Sequence, residues 1–282
     1  MLLYLYGIKY KKCIHTLGRN YLTASGASTL RKTIVLEVSN LVKIYKGKGV
    51  EVNALNDVSF NLYSGEFVAI MGTSGSGKST LLNVLGALDE PTSGKIRLNG
   101  EDVEDFFTEP KATDYRRENI GFIFQAYNLL KDLTVEENIS LPLLLKGDSK
   151  QSIDAKTDSM VERMGLTKWK THRPVQLSGG QQQRTAIGRA LISEPPILLA
   201  DELTGNLDAN TSEEILNVLT CMKNELNQSI LVVTHDPKVA TYADRVLFFH
   251  DGNIVGEYEH SGEQDLEKIM EISQNILKGS TV

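Results

Sequence analysis

Three stretches of this sequence combine residue types and spacings that could do chemistry on a phosphate. The first is Gly72-Thr73-Ser74-Gly75-Ser76-Gly77-Lys78-Ser79-Thr80, which meets the phosphate-binding pattern G-x-x-x-x-G-K-[ST] (Walker A) at every required position. The glycines let the backbone turn tightly, so that successive N–H groups face an anion. A helix opening at Lys78 adds the positive end of its dipole. In this arrangement Lys78 reaches the β and γ phosphates and the Ser79 hydroxyl holds Mg²⁺. The apolar run from Phe67 to Met71 precedes the loop, and Leu81-Leu82-Asn83-Val84-Leu85 follows with helical character. That strand-then-helix context separates a phosphate loop from a glycine-rich turn that binds nothing.

The second stretch, Ile197-Leu198-Leu199-Ala200-Asp201-Glu202, is a short apolar run ending in two acids. A carboxylate at the end of a buried strand is placed to hold Mg²⁺ through water, the role expected of Asp201. Its neighbour Glu202 would polarise an attacking water as general base. Alone, the two acids could simply begin a solvated loop; a phosphate loop upstream argues for the functional role. The third stretch is Leu177-Ser178-Gly179-Gly180-Gln181-Gln182-Gln183-Arg184. Here Ser178 caps a helix whose glycine-opened N-terminus can bind an anion.

The elements that must position these stretches follow from the pattern of apolar residues. Ile34-Val35-Leu36-Glu37-Val38 reads as an alternating strand and the start of the folded domain. Leu41 to Tyr45 continues it, a Gly/Lys turn is expected at 46–49, and a second strand at Val58–Leu62 leads to Phe67. A short hairpin is expected over 94–107 and a strand over 119–125. From Val135 to Leu166 the pattern is helical, with interruptions expected at Pro142 and at 147–152. Strands at 197–200, 230–234 and 245–249 then alternate with helices at 179–193, 211–226 and 237–242, which implies a mainly parallel sheet covered on both faces. In the helix over 211–226, Ile215, Leu216, Leu219, Met222 and Leu226 recur at helical spacing and read as core. A peripheral helix is expected over Glu263–Leu277. No internal repeat or low-complexity tract is visible.

Composition bounds the function. The 282 residues are 41% hydrophobic, enough for a substantial core, and the net charge of −6 gives no general pull toward nucleic acid. Cys13 and Cys221 are too few and too distant for a disulfide framework or a zinc site, which favours a reduced compartment. No apolar run approaches the ~18 residues needed to cross a bilayer. Residues 1–33 differ from the rest: they carry Lys9, Lys11, Lys12, Arg19, Arg31 and Lys32 and no acid. They read as a basic extension outside the folded domain, expected to be disordered.

The serine-led stretch together with the phosphate loop resembles the nucleotide-binding subunit of ABC transporters, over about residues 34–257. The resemblance implies a P-loop NTPase core with a mainly parallel sheet, an N-terminal antiparallel β region, an inserted helical subdomain at about 126–190, and a helical tail at 258–282. It implies ATP and Mg²⁺ as ligands and assigns further residues. Tyr45 matches the aromatic that stacks on adenine. Gln125 matches the glutamine that touches Mg²⁺ and the attacking water while linking to the helical subdomain. Asp208, in Gly205-Asn206-Leu207-Asp208, matches the loop crossing a dimer interface, and His235 matches the histidine contacting the γ-phosphate. Leu177, Ser178, Gly179, Gly180 and Gln181 would close on the ATP of a second copy. Mg²⁺ would then draw on Ser79, Gln125 and Asp201. Thr73 and Leu203 stand where many relatives have proline, a departure expected to have modest effects.

Within the family, Gly121-Phe122-Ile123-Phe124-Gln125-Ala126-Tyr127-Asn128-Leu129-Leu130 and Leu133-Thr134-Val135-Glu136-Glu137-Asn138 look like the lipoprotein-releasing and macrolide-exporting group. In that group a separate permease carries the membrane helices, so the ATPase sits at the cytoplasmic face of the membrane. Few residues follow His235 and few separate Gln125 from Leu177, which argues against the sugar-importer and chromosome-maintenance branches. The alternative is a soluble ABC-type ATPase acting on a non-transport partner. A homodimer or pseudo-symmetric dimer is implied by either reading, and the cargo by neither.

Overall fold

The structure, a computed structural model, describes residues 33–279 apart from 48, 104, 105 and 263. All but the last residue of the basic 1–33 extension, and with it Cys13, lies outside the described residues. Two sheets carry the fold. Strand β1 (Ile34–Gly47) pairs antiparallel with β2 (Val50–Tyr63) and with β4 (Ser93–Leu98), which in turn pairs with the two-residue β5 (Glu101–Asp102). The register sets Leu36 opposite both Leu62 and Leu98, and Val38 opposite Phe60 and Ile96. One apolar face therefore runs across three strands.

The second sheet has the order β10-β9-β3-β8-β7-β6. Strands β3 (Phe67–Gly72), β6 (Ile120–Ile123), β7 (Ile197–Asp201), β8 (Ser229–Thr234) and β9 (Arg245–His250) are parallel, and β10 (Asn253–Glu259) closes the edge antiparallel to β9. Side chains alternate across the parallel strands, and both faces are buried, which is why these strands read as unbroken apolar runs. On one face Val68, Ile70, Leu199, Leu231, Val233 and Phe249 pack against the antiparallel sheet and helix α1 (Lys78–Leu85). On the other, Phe67, Ala69, Leu198, Ala200, Val232 and Phe248 join the main helical cluster. That cluster takes in α3 (Val135–Lys146), α4 (Lys150–Arg163), α5 (Gly179–Leu191) and α6 (Ala209–Leu226). Between β5 and β6 lies α2 (Lys111–Asn119); α7 (Pro237–Ala240) follows β8, and α8 (Asp265–Leu277) follows β10.

Several expectations from the sequence need correction. The first hairpin is longer than expected: β1 and β2 stay paired to Gly47 and Val50, so the 46–49 turn shrinks to its tip. Pro142 does not interrupt α3. Its missing N–H costs one helical bond, but Val135, Ile139 and Leu143 bury the helix face on either side of it. The break comes at Gly147, whose φ of 84° caps the helix, and Ser149 then caps α4. In α6 the core positions are Ile215, Leu216, Leu219, Cys221 and Met222; Leu226 ends the helix and is exposed. Neither α2 nor β10 was anticipated. Only Ala112 and Tyr115 of α2 are buried, too narrow a stripe to stand out.

Candidate nucleotide-binding site

Parallel order brings four strand ends together. The phosphate loop follows β3, Gln125 follows β6, Asp201 ends β7 with Glu202 just beyond it, and His235 follows β8. Ligands of open α/β sheets bind beyond the carboxyl ends of such strands.

The loop's shape depends on its glycines. Gly77 has φ 104°, and a Cβ there would lie 2.1 Å from the Ala54 carbonyl oxygen. A Cβ on Gly72 would meet the Phe249 carbonyl oxygen at the same distance. Neither position accepts a side chain without backbone moving. Lys78 is buried, and its Nζ donates to the carbonyl oxygens of Gly72 (2.9 Å) and Thr73 (2.7 Å). Burial pushes its pKa down while the Glu202 and Asp201 carboxylates oppose that shift. The Ser76 hydroxyl is buried and has no hydrogen-bond partner among the described residues, leaving a donor for an anion.

Ser79 Oγ donates to Asp201 Oδ1 at 3.2 Å, joining the loop to the end of β7. Burial raises the Asp201 pKa, against the hydrogen bond from Ser79. The next residue adopts an unusual backbone: Glu202 has φ 42°, in the left-handed region, at a cost on the order of 1–3 kcal/mol. Its N–H donates to the Val233 carbonyl oxygen at 3.0 Å, which ties that conformation to β8. The turn aims the carboxylate between two partners. Gln125 Nε2 donates to Oε2 at 3.2 Å, and His235 Nδ1 lies 2.9 Å from Oε1.

A cavity of about 750 Å³ opens over this constellation, lined by Tyr45, the loop from Ser74 to Thr80, Gln125 and Glu202. Its remaining walls are Val52, Asn53, Ala54, Asp251 and Gly252, none of which the sequence reading had singled out. A signal for two of them was present. Asp-Gly between apolar runs marks a tight hairpin, and the β9–β10 turn at Asp251-Gly252 donates its Gly252 N–H to the Ser76 carbonyl oxygen at 2.9 Å. Tyr45 is anchored from outside the cavity: its hydroxyl donates to Asp89 Oδ2 at 2.6 Å.

The serine-led stretch lies apart, and none of residues 177–181 lines this cavity. Ser178 caps α5 in a reciprocal box, with Gln181 N–H donating to its hydroxyl at 3.3 Å and Gln181 Oε1 accepting from its N–H at 2.9 Å. Leu177 is buried in the core. Asp208 likewise caps α6, accepting from the N–H groups of Asn210 and Thr211. The two caps are neighbours, since a Cβ on Gly180 would lie 2.4 Å from Thr211 Cγ2. Of the two departures from the expected pattern, Leu203 is buried in the core and Thr73 supplies a carbonyl to Lys78.

The residues present suit a nucleotide and a hard divalent cation. The loop offers an unsatisfied buried hydroxyl beside a lysine. Ser79 and Asp201 are oxygen donors of the kind Mg²⁺ takes with phosphate oxygens and water. No cluster of three or more His, Cys, Asp or Glu occurs among the described residues, so a thiolate- or imidazole-rich metal site is not formed by them.

Comparison with known proteins shows the family and the fold. Residues 55–205 match the family model described as ABC transporter. The chain is 45% identical over 225 residues to a macrolide export ATP-binding/permease protein of Syntrophobacter fumaroxidans, covering 79% of this chain and 31% of that protein. It therefore spans about a third of the length of the macrolide-export relatives it matches. It is 42% identical to the ABC transporter ATP-binding protein YxdL of Bacillus subtilis, covering 79% of this chain and 86% of that one. Among solved structures it resembles the ATP-binding cassette MJ0796 of Methanocaldococcus jannaschii, a dimer in a post-hydrolysis state bound to ADP and Pi. The TM-score is 0.75 at 40% identity, covering 80% of this chain and 99% of that one.

Proposed function

The chain belongs to the ABC transporter family as an ATP-binding, ATP-hydrolysing member, and from that premise we propose that it powers a separate membrane permease for export or extrusion. The observation that carries the site assignment is the convergence of the phosphate loop, Gln125, Asp201, Glu202 and His235 at the ends of adjacent parallel strands.

In this reading Gly72 to Thr80 cradle the triphosphate, Lys78 exchanges its two carbonyl partners for phosphate oxygens, and Tyr45 takes the adenine. Ser79 and Asp201, with Gln125, would hold Mg²⁺, which supplies charge neutralisation between the phosphates when bound. Glu202 accepts the proton of the attacking water on its carboxylate. Gln125 and His235, bonded to opposite oxygens of that carboxylate, orient it.

None of Leu177 to Gln181 lines the cavity over the chain's own loop, and within the stretch Ser178 is exposed. A second copy would present its Ser178-capped helix N-terminus to the γ-phosphate, and the neighbouring Asp208 loop would lie along the same seam. The dimeric state of the solved MJ0796 cassette supports this arrangement. ATP then joins the two halves, and loss of phosphate removes the charge both were neutralising. The domain division at about 34–257, with its helical subdomain at about 126–190, follows this division of labour.

Among the described residues no helix is long and apolar enough to cross a membrane. The export reading rests on the macrolide-export relatives, whose names put ATP binding and a permease in one protein, and the separateness of the permease on YxdL, named as an ATP-binding protein and covered over 86% of its length. It places the chain at the cytoplasmic face of the membrane, held there by its partner. A tagged pull-down from mildly solubilised membranes, with mass spectrometry of the co-purifying chains, tests it. Recovery of a permease with a large extracytoplasmic domain supports export. Recovery of ribosomal or DNA-bound proteins without a permease overturns it and leaves the ATPase assignment standing.

A further inference from the structure

The Tyr45 ring, on the wall of the nucleotide cavity, is held chiefly by two residues outside that cavity, Lys43 and Asp89. Tyr45 lies near the exposed end of β1 opposite Val52, and 42% of its surface is open. A tyrosine so placed samples several rotamers unless something holds it. Here the hydroxyl donates to Asp89 Oδ2 at 2.6 Å, and the other carboxylate oxygen, Oδ1, accepts from Lys43 Nζ at 2.6 Å. Lys43 also donates to the Glu90 carbonyl oxygen at 2.6 Å and sits 4.8 Å from the centre of the Tyr45 ring. Lys43 and Tyr45 are two residues apart on β1, and although the pairing with β2 shifts register between them, the ammonium lies over the ring. The ammonium therefore occupies one face of the ring. Lys43 and Asp89 are largely buried, with 12% and 27% of their side chains exposed. Despite that burial, the hydrogen bonds from Lys43 and Tyr45 hold the Asp89 carboxyl below its ordinary pKa, so the bond to the ring is charge-assisted.

We propose that Asp89 is a positioning residue for the nucleotide base: with Lys43 it clamps the Tyr45 hydroxyl and one ring face, fixing the other face against the cavity for a purine to stack on. The inference rests on the reading of Tyr45 as the base-stacking ring. Pre-ordering the ring removes a cost otherwise met on binding, and immobilising one such side chain corresponds to roughly a three- to tenfold change in affinity. Lys43 and Asp89 lie outside the cavity lining, and the clamp meets the phosphate loop only where the Tyr45 hydroxyl interacts with Thr80 at its end, so the base end is expected to feel its loss more than the triphosphate end.

Calorimetric titration of the full chain with ATP and with inorganic tripolyphosphate, which has no base, separates the two ends. Tyr45→Phe removes the bond and Asp89→Asn removes the charge that strengthens it, each keeping the shapes. Each is expected to weaken ATP roughly three- to tenfold and to weaken tripolyphosphate clearly less, with the loss appearing in KM rather than kcat. The double variant should lose no more than either single one. Should Asp89→Asn perturb folding, Tyr45→Phe still breaks the bond without touching the Lys43–Asp89 pair. Equal weakening of ATP and tripolyphosphate, or unchanged ATP binding in both variants, overturns the proposal. Tyr45→Ala distinguishes the two levels. If it leaves ATP affinity intact, the base-stacking reading fails and takes the clamp with it. If it weakens ATP while the other two variants do not, only the clamp fails.

Discussion

His235 Nδ1 lies 2.9 Å from Glu202 Oε1, and the opposite oxygen of the same carboxylate accepts from Gln125 Nε2 at 3.2 Å. Residues from the ends of three different strands thus meet on one side chain. With 19% of its side chain exposed, Glu202 is reachable by water yet held in one orientation.

Glu202→Gln keeps the size of the side chain and removes its basicity. The variant is expected to bind ATP and dimerise while turnover falls about 10²–10⁴-fold. Phosphate release under saturating ATP measures this, and near-normal turnover would remove Glu202 as the base.

His235→Ala frees one carboxylate oxygen without removing the base. Turnover is expected to drop on the order of 10²-fold, with nucleotide affinity largely kept. If the two residues act as a unit, adding His235→Ala to Glu202→Gln costs little more. Multiplicative losses in the double variant would show that they act separately.

Ser178→Ala removes the cap of α5, at a stability cost of about 1 kcal/mol. The larger consequence concerns assembly. In a Glu202→Gln background, where ATP persists, the added change should abolish the ATP-dependent dimer while the monomer still binds nucleotide. Light scattering with and without ATP decides it; an unaffected dimer would move the partner contact away from this helix.

Asp265 makes a different kind of prediction. It is buried at the start of α8, yet bonds from the Tyr258 hydroxyl and the Ser261 N–H, with the nearby His260, outweigh the burial and hold its pKa at about 2. An unfolded aspartate titrates near ~3.9, so the folded form binds its proton less readily. The stabilisation is complete above about 4 and is lost as pH falls through about 2. Thermal melts of the native chain and Asp265→Asn should therefore differ most above that window and converge below it. A constant difference across the range would mean that the carboxylate charge does not contribute.

Much of the site was legible because its recognition is local. The phosphate loop is one contiguous run, and Asp201-Glu202 sits directly behind an apolar strand. Leu226 shows the limit of such reading: its spacing fits the core face, but it is the last residue of α6 and stays exposed. Pro142 shows the converse, since packing on both sides of it outweighed a local helix breaker.

The order of motifs along the chain determined the chemistry and the parallel α/β class, because phosphate binding needs only a glycine-rich turn between a strand and a helix. Tertiary structure decided the partners. That β8 lies between β3 and β7 is what sets His235 beside Glu202. The Val233 carbonyl oxygen that accepts the Glu202 N–H across that pairing holds an unfavourable φ. The Asp89 clamp on Tyr45 joins residues 44 positions apart, with β2, β3, the phosphate loop and α1 between them in the sequence. Side-chain contacts of this kind depend on strand order and register, which long-range burial selects and no local spacing encodes.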